Sequence, residues 1–576
     1  MMKRITRRTT NETTHFSPEV PLLLQRIYAH RGLLGDTDVD LALKNLLPAD
    51  LLKGLDEALD LLVQALEQRH KILIIGDFDA DGATSSALSV LALRRLGAAS
   101  VNYLVPNRFE YGYGLTPEIV AVAEQQSPDL IMTVDNGISS IDGVRAAKDA
   151  GIKVLVTDHH LPAQQLPGAD AIVNPNQPGC AFPSKNLAGV GVAFYLMTAL
   201  RTRLKQLGWF QRQGISEPNM ADYLDIVALG TVADVVPLDR NNRILVHHGL
   251  ARMRAGRCRP GIKALVEVAK RRLSSLVASD LGFAVGPRLN AAGRLTDMSK
   301  GIECLLVDDP RLAAQYAGAL DQLNFERKGI EGDMQQQALA ALKQLHLGQE
   351  SELPWGMCIY KRDWHQGVIG ILASRIKERF HRPTIAFAPA DGGEIKGSAR
   401  SIPGFHIRDA LDAVASRHPG LIVKFGGHAM AAGLSIREEN LPSFQRAFDA
   451  EARRLLSVDD LTGELHSDGE LSESDIDLPV AQLLRDAGPW GQGFPEPLFD
   501  GQFELLDQRI VGEKHLKLSI GLPGTKRVVD AIAFNVDLEK WPNPNLKQIY
   551  LAYRLDVNEF RGVQNAQLMV EHLEPV

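Results

Sequence analysis

Three short acidic runs carry the chemistry of this chain. The first is Asp77-Phe78-Asp79-Ala80-Asp81-Gly82, directly after the apolar run KILII at 71–75. The second is Asp135-Asn136-Gly137 after DLIMTV (129–134), and the third is Asp158-His159-His160 after KVLVT (153–157). Each apolar run suits a buried strand, and the stretches between them read as helices, so the runs form a mostly parallel sheet with right-handed crossovers. Ligands of such sheets bind outside the carboxyl ends of the strands. The acidic runs therefore converge on one edge. Carboxylates crowded there do not all stay ionised cheaply unless a cation neutralises them. Oxygen donors suit Mg²⁺ or Mn²⁺, and added imidazole shifts the preference towards Mn²⁺. Asp234, in the otherwise apolar stretch DYLDIVALGTVADVVPL (222–238), is a further carboxylate whose burial a metal would explain, as would a helix-ending hydrogen bond. Asp222 and Asp225 of that stretch read as solvated helix residues.

Simpler readings of each run fail on the conjunction. DFDADG matches the first half of a calcium-binding EF-hand loop, but the twelfth position is Leu88 instead of Glu, and the run follows a strand. Asp135-Asn136-Gly137 alone is a turn sequence, and His159-His160 alone is a loop pair. AGVGVAF (188–194) lacks the third glycine of a dinucleotide fingerprint and follows no strand; it reads as close helix packing. A second constellation suits anions. GSAR (397–400) offers Ser398 and Arg400, FGGHAMAAG (425–433) offers His428 behind two glycines, and GPRLNAAGR (286–294) offers Arg288 and Arg294. Glycines admit a phosphate to backbone N–H groups, and arginine supplies a forked donor.

The elements that must position these groups fill a chain of 576 residues, enough for three or four domains. Hydrophobic residues at 45% and charged residues at 23% exclude global disorder. No apolar run approaches the length of a membrane span, and the basic start MMKRITRRTT leads into no apolar segment of a secretory signal. Cys180, Cys258, Cys304 and Cys358 lie far apart, which excludes a disulfide framework or zinc ribbon and fits a reducing cytoplasm. We read 1–50 as a peripheral arm, 51–240 as the first α/β domain, 241–350 as a helical connecting region with a long helix over 311–345, 351–458 as a second α/β domain, and 463–576 as a small β-barrel. Gly318, Gly329 and Gly332 interrupt the helix-forming sequence of the connector, and 457–470 is a polar linker candidate. The barrel segment carries net charge −9, the remainder +2. Within it Lys514, Lys517, Lys526 and Arg527 fall in two runs joined at GLPG (521–524), a hairpin that gathers basic residues. Phe534 or Tyr553 could stack nucleobases beside them, although core packing suits either.

Taken together, GDFDADGATSSAL, VPNRFEYGYGL, VDNGISS, VTDHH, GTVADVVPL, GPRLNAAGR, WHQGVIGI, GSARS and FGGHAMAAG resemble the DHH phosphoesterase family, within it the bacterial single-strand-specific 5′→3′ DNA exonucleases. The resemblance runs from about residue 50 onward. It implies an α/β fold made of a DHH domain, a helical connector, a DHHA1 domain and an OB-type barrel. It implies two divalent cations, Mg²⁺ or Mn²⁺, with Asp79, Asp81, Asp135, His159 and Asp234 as ligands and Asp135 as the bridge. Many family members carry histidine where this chain has Ile75, and Asp77 would compensate. His160 would face the scissile phosphate, and Arg108, Arg288, Ser398, Arg400, His428, Lys514 and Lys517 would contact DNA. The implied reaction is two-metal hydrolysis of single-stranded DNA to 5′-mononucleotides in repair and recombination, with a single-strand-binding protein and a repair helicase as partners and no membrane role. The rivals are a small-substrate DHH phosphodiesterase or oligoribonuclease, which needs no barrel, and a non-catalytic DNA-binding scaffold, against which the intact acidic runs argue.

Overall fold

The computed structural model describes residues 3–10, 12–106, 114–345 and 353–576. The chain opens with β1 (Arg4–Arg7), then builds a parallel sheet of β2 (Lys71–Ile75), β3 (Ser100–Leu104), β4 (Leu130–Val134), β5 (Lys153–Thr157) and β6 (Ala171–Val173). Their spatial order is β3-β2-β4-β5-β6, with every pairing parallel. Alternate side chains serve two cores, as a period of two requires. Ile72, Ile74, Met132 and Val134 pack with the helices Ala80–Arg95 and Gly189–Gln206 on one face. Leu73, Ile75, Ile131 and Val154 pack with Ile119 and Val144, from the helices Pro117–Glu124 and Ile141–Asp149, on the other. Both faces being covered explains why the strands read as continuous apolar runs. Chain order reverses between β2 and β4, and that switch point opens the crevice flanked by the first two acidic runs.

The helix Pro310–Leu345 has 36 residues and is about 54 Å long at 1.5 Å per residue. Ala313, Ala317 and Leu320 anchor its first half in the core of the first α/β domain; Met334, Ala338 and Leu342 anchor its second half against the next unit. It runs through Gly318, Gly329 and Gly332, where open space surrounds each glycine, so no packing is lost. That unit is a mixed sheet in the order β10-β11-β9-β8-β7, built from β7 (Met357–Tyr360), β8 (Thr384–Pro389), β9 (Glu394–Arg400), β10 (Lys424–Gly427) and β11 (Ala431–Arg437). After β12 (Glu464–Ser467), a closed five-stranded barrel follows: β13 (Phe499–Val511), β14 (His515–Gly521), β15 (Val528–Ala533), β16 (Gln548–Phe560) and β17 (Val563–Pro575). The GLPG hairpin joins β14 to β15 as the sequence indicates.

The arm departs from its expected peripheral role. β1 pairs in parallel with β12, inside the segment read as a linker. Leu24, Ile27 and Tyr28 of the helix Leu22–Ala29 are buried, and Tyr28 packs on Trp490 and Phe494. Arg7 Nη2 lies 2.7 Å from Asp500 Oδ2, and Arg31 Nη1 lies 3.0 Å from Asp468 Oδ1. Asp500 also accepts hydrogen bonds from Ser467 and Tyr550. The arm clasps the barrel because its arginines neutralise two buried carboxylates there. Among the described residues, no helix is long and apolar enough to cross a membrane.

Candidate functional site

The loop after β2 turns directly into the helix Ala80–Arg95, with Asp79 as its N-cap: Asp79 Oδ1 accepts from Asp81 N–H at 2.9 Å and Gly82 N–H at 3.1 Å. A short polar side chain at that position is the ordinary way to satisfy the first N–H groups of a helix. Asp81, wholly buried, is gripped by another helix start. Gly189 N–H donates to its Oδ2 at 2.6 Å and Val190 N–H to its Oδ1 at 2.9 Å. The GVG run read as close packing is therefore also an anion cradle for a side chain. A Cβ on Gly189 would stand 2.6 Å from the Cβ of Asp135, which bars any larger residue.

Asp135 follows β4 with φ +61°, a left-handed conformation that costs a non-glycine residue about 1–3 kcal/mol and concentrates at functional sites. Asn136 holds it there by donating from Nδ2 to the Ile75 and Val134 carbonyls, tying the ends of β2 and β4 together. Asp158 does not join the donor sets that could hold an ion; it organises the histidines. Its Oδ1 accepts from the N–H groups of His159 and His160 and lies 2.8 Å from His160 Nδ1, while Oδ2 accepts from Ile138 N–H. Asn176 and Asn174 donate to the carbonyls of His159 and His160 from the loop after β6.

Among the described residues three donor triads have ligand atoms within 4.8 Å of one another: Asp81, His159 and Asp234; Asp77, Asp79 and Asp135, which shares no residue with the first; and Asp135, His159 and His160, which links the two. Asp135 adjoins the first as well, its Oδ1 being 3.1 Å from His159 Nε2; Asp234 Oδ2 is 3.5 Å and Asp81 Oδ2 3.9 Å from that nitrogen. The donor chemistry fits divalent cations. Burial, then the charge on His160, pulls His159 down to about 4, so its ring is neutral at physiological pH. Its Nε2 is buried and makes no hydrogen bond to any described residue. A neutral nitrogen turned towards three carboxylates is a ligand set, since its lone pair gains nothing from theirs without a cation between. Burial, then neighbouring carboxylates, pushes Asp135 and Asp234 well above the usual carboxylate range. Burial and Asp79 push Asp81 up to about 7 against the pull of the Val190 and Gly189 N–H groups. Asp158 goes the other way: burial raises it, but hydrogen bonding and charge from His160 outweigh that and hold it low. Burial disfavours charge on His160, yet Asp158, Asp234 and Asp77 hold it up to about 9.

The phosphate candidates divide. Ser398 and Arg400 share β9, with Arg400 Nη1 donating to Ser398 Oγ at 3.0 Å. Arg400 pairs with Ala431 across the sheet, and His428 N–H closes the turn between β10 and β11 onto the Ala431 carbonyl. Burial and then the charge of His160 depress His428, so this turn lies within electrostatic reach of the metal edge. Arg288 is committed elsewhere: it lies 2.8 Å from Asp321 and donates to the Ala284 carbonyl, bracing the helix Gly286–Leu295 against the long connector helix. That helix serves the metal loop by other residues. Asn290 Oδ1 accepts from Ala80 N–H at 2.8 Å, and Gly293 approaches the Phe78 carbonyl so closely that any Cβ would collide. Lys517 is ion-paired with Asp530 at 2.8 Å, and Arg527 donates to the Glu473 and Ile476 carbonyls, so two members of the expected basic hairpin are engaged. Lys514 lies in the turn before β14. Tyr553 is barrel core, whereas Phe534 is half-exposed against His515. Asp225, read as solvated, is fully buried and accepts from the N–H groups of Arg259 and Ile226. Arg108 lies outside the described residues.

A parallel sheet with two carboxylate-rich triads at its switch point, facing a second unit with a serine, arginine and histidine cluster, defines a metal-dependent phosphoesterase. Family models agree: the DHH family N-terminal domain matches residues 71–231, the DHHA1 domain 355–454 and the RecJ OB domain 467–572. The chain is 56% identical to the single-stranded-DNA-specific exonuclease RecJ of Dickeya dadantii (strain 3937), over 100% of both chains. It is 55% identical to the RecJ exonuclease of Escherichia coli (strain K12), over 100% of this chain and 99% of that one. The crystal structure of Thermus thermophilus RecJ in complex with Mn²⁺ superposes with a TM-score of 0.78 at 32% identity, covering 97% of this chain and 76% of that chain. The same protein in complex with Mg²⁺ gives 0.73 at 31% identity, covering 97% and 75%. This chain belongs to the RecJ family.

Proposed function

We propose that this protein is a metal-dependent, single-stranded-DNA-specific exonuclease that works 5′→3′ and releases 5′-mononucleotides. The observation that carries the reading is the pair of donor triads at one strand edge, Asp81/His159/Asp234 and Asp77/Asp79/Asp135, in a chain of this family. These residues would hold two divalent ions, Mg²⁺ or Mn²⁺, which when bound would supply Lewis-acid polarisation of the phosphoryl group and activation of water for in-line displacement. The chain's own groups do the rest. Asp135 belongs to one triad and adjoins His159 of the other. His160, oriented through Nδ1 by Asp158, offers a charged imidazolium beside them. Ser398, Arg400 and His428 hold the phosphate of the strand end, and placing that anchor on a separate unit spaces the 5′ end from the bond that is cut. With net charge −9 the barrel segment suits contact with basic surfaces of a single-strand-binding protein or repair helicase. A cytoplasmic setting for DNA repair and recombination accords with four free cysteines.

The test is digestion of single strands labelled at one end or the other, with and without Mg²⁺ or Mn²⁺. A 5′-labelled strand should lose its label as mononucleotide from the first turnover, while a 3′-labelled strand shortens stepwise. Label loss first from the 3′ end, or full activity in excess chelator, overturns the reading.

A further inference from the structure

Where an exonuclease indifferent to sequence grips the bases as well as the backbone, it grips them by their faces, because edge contacts would discriminate among them. Phe283 is 87% exposed, more than any other large hydrophobic side chain among the described residues. It lies in a π-helical stretch, Leu281–Val285, whose Leu281, Ala284 and Val285 are buried. A π-turn carries an extra residue relative to an α-turn, and such turns gather at functional sites. Here Phe283 is the residue put out into solvent. The stretch sits on the end of the helix Leu224–Ala233. Val232 Cγ1 is 3.3 Å from the Cβ position of Gly282, and Ala233 Cβ is 3.0 Å from that of Gly286. The next residue, Asp234, belongs to the metal edge. Other segments that bring polar groups to the cleft also leave apolar side chains exposed close by: Val235 after Asp234, Leu161 after His160, and Met430 two residues after His428.

We infer that Phe283 is a stacking platform for a nucleobase of the bound strand, and that Val235, Leu161 and Met430 complete an apolar rim around the phosphate and metal groups. This rests on the exonuclease reading above. The ligand is the flat face of any purine or pyrimidine.

The experiment compares two 5′-phosphorylated strands of equal length, oligo-dT and an all-abasic strand of tetrahydrofuran residues, on the full chain with Mn²⁺. Phe283→Ala should raise KM on oligo-dT about tenfold and leave KM on the abasic strand and the melting temperature unmoved; Phe283→Trp should restore binding. Equal loss on both strands, no loss on either, or a fall in melting temperature without a base-dependent effect overturns the platform while leaving the exonuclease reading intact. A wild-type chain inert on both strands overturns the exonuclease reading, and the platform with it.

Discussion

At the metal edge Asp81, Asp135 and Asp234 are surrounded by one another and by Asp77 and Asp79; at the junction between arm and barrel Asp468 and Asp500 are surrounded by Arg31, Arg7 and hydroxyl groups. Both clusters are buried and acidic. In the junction each charge has a covalently supplied countercharge, and the depressed carboxyl of Asp500 shows it: burial raises it, but Arg7, Ser467 and Tyr550 together hold it below the usual range. At the metal edge the carboxyls are pushed up instead. The contrast separates a carboxylate kept for structure from one kept for an exogenous cation, and it does so by the sign of the neighbouring charges, since burial is common to both.

The comparison can be broken most sharply at Asp135. Asp135→Asn should reduce hydrolysis to background in a single-strand assay, while the metal-free melting temperature holds or rises, because one of several mutually repelling carboxylates is gone. A substantial loss of melting temperature would assign Asp135 to the structural class. The mirror-image change is Asp500→Asn. It removes the buried partner of Arg7, which keeps Glu470, and should cost about 1.5–3 kcal/mol in chemical denaturation, the range for a lost charged hydrogen bond, with hydrolysis per folded molecule unchanged. The pH dependence has a defined sign. A carboxyl whose folded pKa lies below its unfolded one stabilises the protein above the unfolded value, so Asp500 contributes above about pH 4 and its contribution is lost as pH falls through the folded value. Acid titration of stability should show that segment in the wild type and lack it in Asp500→Asn.

Metal addition sharpens the contrast next. Mn²⁺ at a hundredfold excess over its dissociation constant should stabilise the chain by about 2.7 kcal/mol per site, read as a melting shift that Asp500→Asn retains and Asp135→Asn diminishes. A smaller effect is expected at Arg400, where removal of one phosphate contact should lower the salt slope of single-strand binding by about 0.7. An unchanged slope with lost stability would make Arg400 a packing residue. The smallest concerns the barrel. Lys517 already spends its charge on Asp530, so Lys514→Glu should weaken long-strand affinity more than Lys517→Glu, measured by anisotropy. Deleting 463–576 is a poor probe of the barrel, because it also removes the partners of Arg7, His30 and Arg31.

The metal edge is legible because each acidic run directly follows a buried strand, and a parallel sheet brings strand ends together whatever their order. The groups that tune it are not. Asn290 reaches Ala80 N–H across 210 positions and Gly189 reaches Asp81 across 108, so nothing local marks them. Gly189 stands inside a run that lacks a nucleotide fingerprint, and Arg288, the more conspicuous residue of its motif, braces two helices while Asn290 touches the loop. Asp225 looks solvated because its flanking sequence is helical; its partner, the backbone of Arg259, lies on another element. Side chains that act on a remote backbone leave no spacing to read.

The pairing of β1 with β12 has a consequence for how the molecule is made. Arg7 leaves the ribosome 493 residues ahead of Asp500; at roughly 5–20 residues per second the arm waits about 25–100 s for its docking place. Until β12 is made, β1 has no strand partner beside the growing chain. Its arginines, Arg4 and Arg7, are the kind of charge that keeps such a strand from pairing with the wrong neighbour. The residues that later lock the barrel in place thus also guard the nascent protein until the lock exists.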